Sequence, residues 1–164
     1  MITANRVREL LDYDPDTGVF RWRVDKGAVK AGDVAGSPSM HGYWKIKIDG
    51  TLFLAHRLAW LYVHGGFPSV IDHRDRDGRN NKIANLRIAT NTQNQANRLA
   101  QKNNKCGFKG VFWLERLHKW QAQIYKGRRQ IYIGVFDTPE DAHAAYMRAA
   151  VAHFGEFACS DSDQ

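Results

Sequence analysis

Ile71-Asp72-His73-Arg74-Asp75, then Asn80-Asn81-Lys82-Ile83-Ala84-Asn85-Leu86-Arg87, then Gln93-Asn94, is the stretch from which the rest of the 164-residue chain is read. Val70-Ile71-Asp72 and Leu86-Arg87-Ile88-Ala89 are short apolar runs that read as strands, and the Asp, Asn and Gly residues between them read as a loop. Thr90 offers a helix N-cap, and Gln93 three residues later completes a capping-box pattern. A helix over about Asn91 to Ala100 is predicted. The local order is strand, loop, strand, helix.

These residue types suit phosphodiester cleavage. That reaction needs a base to deprotonate water and a cation to hold charge developing on the phosphate and the leaving oxygen. Histidine titrates near neutral pH, which fits His73 for the base role. Asp72 and His73 are neighbours on an extended strand, so their side chains point to opposite faces and divide the labour, Asp72 to the cation and His73 to the water. Hard oxygen donors favour Mg²⁺ or Mn²⁺, and Asn94 can add an amide oxygen from the first turns of the helix. Asn85 can fix the His73 tautomer by accepting a ring N–H.

A calcium loop is the alternative for Asp75-Arg76-Asp77-Gly78. Placing Gly78 on that loop's invariant glycine puts His73 and Ala84 where Asp and Glu are required, and the alternative fails. His56 opens a segment with Leu58, Trp60 and Leu61 and reads as structural or phosphate-contacting. His41, His64, His118, His143 and His153 share no ligand spacing.

Outward from this centre, Ala55 to Val63 reads as a helix ended by Gly65-Gly66 and Pro68. Before it, Tyr43–Ile48 and Thr51–Leu54 flank Asp49-Gly50, a hairpin signal. A Gly-rich stretch runs from Gly27 to Gly42. Further upstream, Phe20, Trp22 and Val24 alternate with arginines as in a strand, and Asp14-Pro15-Asp16-Thr17-Gly18 is a turn after an amphipathic helix near Thr3–Leu11. Downstream, Lys102 to Cys106 is a polar, basic joint. Gly110–Leu114, Lys119–Tyr125 and Gln130–Phe136 read as strands. Thr138-Pro139-Glu140-Asp141 starts a helix that runs to about Phe154 and stops at Gly155.

The first region, with the upstream Ala55-His56-Arg57-Leu58-Ala59-Trp60, resembles the HNH endonucleases over Leu54 to Arg98. In particular it resembles the phage and intron-encoded homing endonucleases whose third signature residue is Asn instead of His. Asn85 stands twelve residues after His73 and Asn94 twenty-one after it. The resemblance implies His73 and Asn85 as catalytic, Asp72 and Asn94 on one divalent cation, and a ββα-metal nuclease module.

Gly107 to Ala158 resembles the APETALA-type DNA-binding domain of plant ethylene-response factors. Gly110-Val111, Trp120-Gln121-Ala122-Gln123-Ile124, Ile131-Tyr132-Ile133-Gly134-Val135-Phe136 and Thr138-Pro139-Glu140-Asp141-Ala142 carry it. It implies a three-stranded antiparallel sheet backed by one helix and laid on duplex DNA. Strand parity puts Trp120, Ala122 and Ile124 on one face and Ile131, Ile133 and Val135 with them, under Ala142, Ala145 and Ala149. The opposite face then carries Gln121, Gln123, Tyr125 and Tyr132. With Trp113 and the basic Lys109, Arg116, Lys119, Arg128 and Arg129, these are the candidate DNA contacts. The plant domains place arginines where this chain has Gln123, Tyr125 and Tyr132, so their target sequence does not transfer.

Composition agrees with an acidic polymer as partner. The net charge is +7, and between Asn97 and Ile133 nine Lys or Arg face one Glu115. A hydrophobic share of 43% supplies a core, so the chain is not a disordered tail. Cys106 and Cys159 are too few and too far apart for a zinc site or a disulfide framework. Neither a signal peptide nor a membrane span is visible, which makes the cytoplasm the expected location, that of the host if the protein is phage-encoded. The expectation is an α+β protein in two domains: residues 1–101, a nuclease with a β-rich extension, and residues 102–164, a DNA-binding module. A monomer would nick one strand and a homodimer could cut both. A non-catalytic DNA-binding regulator and an RNA-directed nuclease are the competing functions.

Overall fold

The computed structural model describes residues 2–100, 104 and 106–159. It is a mixed α and β structure that divides into two compact units, Met1–Ala89 and Thr90–Gln164.

The first unit opens with α1 (Ala4–Leu10), whose N-cap Thr3 accepts a bond from the Arg6 amide. Strands β1 (Leu11–Asp14) and β2 (Val19–Trp22) follow as an antiparallel hairpin around the Asp14–Gly18 turn. The sequence reading missed β1 by running the helix to Leu11, although Leu11 and Tyr13 alternate with Asp12 and Asp14. The short β3 (Ser37–Pro38) joins β4 (Trp44–Ile48) and β5 (Thr51–Leu54) in a second sheet. Asp49 and Gly50 both take positive φ, 46° and 81°, as a two-residue hairpin of right-handed twist requires. Helix α2 (Ala55–His64) then ends on Gly65 at φ 77°. The core gathers Val7, Leu11, Tyr13, Phe20, Ile46, Ile48 and Leu58 with Ile71 and Leu86 from the last pair of strands. That pair, β6 (Ile71–His73) and β7 (Leu86–Ile88), is antiparallel.

The second unit begins with α3 (Asn91–Ala96), where the Thr90–Gln93 capping box is formed in both directions. The helix stops four residues short of the predicted Ala100. Strands β8 (Val111–Leu114), β9 (Lys119–Lys126) and β10 (Arg129–Phe136) make an antiparallel sheet in the order β10-β9-β8. Helix α4 (Pro139–Phe154) buries Ala142, Ala145, Tyr146 and Ala150 against it. The packing is close enough that Gly110, at φ 74°, has no room for a side chain: a Cβ would lie 2.3 Å from the Tyr146 ring.

One strand departs from simple alternation. Ile131 pairs Ile124 and Tyr132 pairs Gln123, but the register then slips at Ile133, so Gly134 pairs Ala122 and Val135 pairs Gln121. This bulge reverses the parity of all that follows. Val135, expected beneath α4, is therefore on the glutamine face, and Phe136 takes the other side opposite Trp120. No helix among the described residues is long and apolar enough to cross a membrane.

Candidate active site and nucleic-acid interface

In the first unit, register sets Asp72 opposite Arg87 across β6 and β7. Both are buried, and Arg87 Nε and Nη2 each lie 2.8 Å from Asp72 Oδ2. A buried ion pair of this kind is tolerated because each charge compensates the other. Next to it, His73 is 6% exposed. Burial lowers its pKa, partly opposed by the Asn81 side chain and by Asp75, Asp72 and Asp77. The ring meets His56 edge-on, with centroids 4.8 Å apart, and Tyr43 lies 5.6 Å from His56 and 6.1 Å from His73. His56 is pushed down to about 3, chiefly by burial and then by His73 and Arg57. Its buried Nδ1 has no hydrogen-bond partner among the described residues. Two neutral imidazoles therefore face one another, and His56 stands beside His73 as the sequence could not foretell.

The loop between the strands is built on Asn85. Its Nδ2 donates to Asp75 Oδ1 at 2.8 Å and to the Asn80 carbonyl at 2.9 Å, and its Oδ1 accepts the Asp75 amide at 3.1 Å. The expectation that Asn85 would accept a ring N–H of His73 is thus corrected: its amide braces the loop, and Asn81 is the amide beside the ring. Asp75 also accepts from the Asp77 amide at 2.9 Å and from Asn80 Nδ2, so its carboxylate is spent inside the loop. The N-terminal hairpin supports the far end of the loop. Tyr13 Oη donates to the Asn81 carbonyl at 2.7 Å, the Ile83 amide donates to the Pro15 carbonyl, and a Cβ on Gly18 would strike the Asn81–Lys82 backbone at 2.4–2.5 Å.

Asn94 belongs to the second unit, on α3, with its side chain partly exposed. In that unit the sheet face away from α4 holds Gln121, Gln123, Tyr125 and Tyr132 as expected, and adds Phe112, Val135 and Gln130, which the sequence reading passed over. Trp113, expected with them, lies elsewhere. It pairs Trp120 on the opposite face, and its indole N–H donates to Glu115 at 2.6 Å. Lys109, expected among the DNA contacts, has its ammonium donating to the carbonyls of Gln95, Ala96 and Arg98, at the end of α3. Arg116, Arg128 and Arg129 are exposed near the sheet, and Lys119 is paired with Asp137 at 2.9 Å. Lys102 and Lys105, counted with the basic residues, lie outside the described residues.

A family model described as HNH endonuclease matches residues 53–96, which include Asp72, His73, Asn85 and Asn94. The chain carries an HNH endonuclease domain. The match runs past Ala89 and takes in the residues of α3. The chain is 29% identical over 151 residues to an uncharacterized HNH endonuclease, L560, of Acanthamoeba polyphaga mimivirus, covering 90% of this chain and 70% of that protein. It is 31% identical over 105 residues to Protein 3.8 of Escherichia phage T7, covering 57% of this chain and 87% of the phage protein. Over 48 residues it is 40% identical to an AP2-like ethylene-responsive transcription factor, TOE2, of Arabidopsis thaliana, covering 29% of this chain and 10% of that protein. No solved structure matches.

Proposed function

We propose that the protein is a divalent-metal-dependent DNA endonuclease, positioned on duplex DNA by its C-terminal unit. The observation that carries the reading is the HNH match over a β6–β7 hairpin that keeps a neutral His73 beside Asp72 and braces the intervening loop through Asn85. His73 takes a proton from water, the water oxygen bonds to phosphorus, and the P–O3′ bond breaks. Asp72 and Asn94 would hold Mg²⁺ or Mn²⁺, which supplies charge stabilisation at the phosphate and the leaving oxygen. The donor set fits. It is a carboxylate and an amide, both hard oxygen donors, and magnesium sites commonly use one or two protein carboxylates and complete themselves with substrate phosphate and water. Asn85 serves by holding the loop. Basic residues such as Arg116, Arg128 and Arg129 supply phosphate affinity. The natural setting for such an enzyme is homing or nicking, in the cytoplasm of the cell that holds the DNA.

One observation favours a second reading, a non-catalytic DNA-binding regulator: Arg87 already engages Asp72, the expected cation ligand. Cleavage of supercoiled DNA with Mg²⁺ or Mn²⁺, comparing the intact protein with His73→Ala, separates the two. Metal-dependent cleavage that collapses in the variant while gel-shift binding survives supports the nuclease. Tight binding with no cleavage by either protein, across several DNAs, supports the regulator.

A further inference from the structure

Resting on that reading of the C-terminal unit as a DNA-binding module, we propose that its sheet selects A·T base pairs in the major groove through an amide row of Gln121, Gln123 and Gln130.

The register sorts the exposed face into rows. Phe112, Gln121 and Val135 lie side by side across the three strands. Gln123 and Tyr132 form the next row, and Tyr125 and Gln130 the third. Hydrogen bonds link the amides along the face. Gln121 Nε2 donates to Gln123 Oε1 at 2.8 Å, Gln130 Nε2 donates to the same oxygen, and Tyr125 Oη donates to Gln130 Oε1 at 3.2 Å. These bonds gather the amides on the face while no duplex is bound; because they occupy both lone pairs of Gln123 Oε1, reading an adenine exchanges one of them for a bond to the base.

Three chemical facts choose the ligand. An amide side chain matches the N6–H and N7 pair on the major-groove edge of adenine, whereas guanine's O6 and N7 call for Arg or Lys. None of these three rows contains a cation. The groups beside the amides are apolar or aromatic, with Phe112 47% and Tyr132 60% exposed, and such groups suit the thymine methyl. The exposed cations stand outside the rows: Arg116 lies in the turn between β8 and β9 and Arg128 in the turn between β9 and β10, positions that suit phosphates better than bases. A face of neutral readers inside a basic rim is complementary to a duplex, and the bulge at Ile133 is what turns Val135 into it.

The test is selection of bound duplexes from a randomised DNA library by the full-length protein in EDTA, repeated with Gln123→Ala and Gln123→Arg. Enrichment of A·T pairs is expected, with about a tenfold loss of discrimination at one position in Gln123→Ala. Gln123→Arg should move that position toward G·C, a gain that an unfolded protein cannot show. Binding without base preference, or a G·C preference in the wild-type protein, overturns the inference and leaves the nuclease reading intact. Failure to bind any duplex overturns the DNA-binding reading on which it rests.

Discussion

The β6–β7 hairpin and the β8–β10 sheet put polar side chains to opposite uses. In the hairpin and its loop, Asp72, His73, Asn81 and Arg87 are all buried, and Asp72 and Arg87 are paired with each other. In the sheet, Gln121, Gln123, Tyr125 and Gln130 look away from the helix and bond among themselves on the surface. A polar group withdrawn from water must be compensated inside the protein, so the hairpin's chemistry is also part of its stability. The amides of the sheet bond to one another on the surface and not to the buried core. Substitutions should separate the two.

The largest effect is expected at the buried ion pair. Arg87→Met leaves the Asp72 carboxylate without its cation and should cost about 3–5 kcal/mol in denaturant unfolding. Adding Asp72→Leu should recover much of that loss. A loss under 1 kcal/mol for the single variant would mean the hairpin is not organised around this pair.

Next in size is a pH effect from His56. Its folded pKa, about 3, lies below the ordinary value of 6.5, so the folded protein binds fewer protons than the unfolded chain between those limits. The stabilisation is fully present above pH 6.5 and is lost progressively as pH falls toward 3. Between pH 7 and pH 4 this amounts to about 3 kcal/mol. His56→Gln should flatten the profile of unfolding free energy over that window, without abolishing it because burial also lowers His73. A slope equal to that of the wild type would remove His56 from the account.

Lys109 sharpens the comparison from the other unit. Lys109→Met removes charged hydrogen bonds from the last carbonyls of α3 and should cost about 1–2 kcal/mol. The salt dependence of DNA binding should stay unchanged, because the ammonium serves the helix. A slope reduced by about one would return Lys109 to the phosphate contacts. The smallest effect belongs to the exposed face: Gln121→Ala with Gln123→Ala should shift unfolding by about 0.5 kcal/mol or less. A larger shift would show that the amide row supports the sheet as well as facing outward.

What was legible in the sequence was local. The Asp49-Gly50 hairpin, the Gly65 helix end, the Thr90–Gln93 capping box and the Thr138-Pro139 helix start each depend on neighbours within four residues, and all appear as read. The spacing of Asp72, His73, Asn85 and Asn94 was equally plain. The bulge in β10 was not, since one inserted residue reverses alternation without changing composition. Gly134 inside an apolar strand was its only local mark. Pairings across long stretches of chain were invisible for a different reason. His56 meets His73, and Lys109 meets the carbonyls of α3, only after the chain has turned back on itself, and no periodicity encodes that.

The contacts of the first hairpin bear on how the signature region could be moved to another protein. The signature region begins at residue 53, yet Tyr13, Pro15 and Gly18 all touch the loop that Asn85 braces. Residues 53–96 are therefore not a portable cassette. Grafted onto another scaffold without the opening hairpin, the loop would keep its internal bonds and lose the wall behind it. A fragment meant to keep this loop supported has to include the hairpin of Tyr13, Pro15 and Gly18.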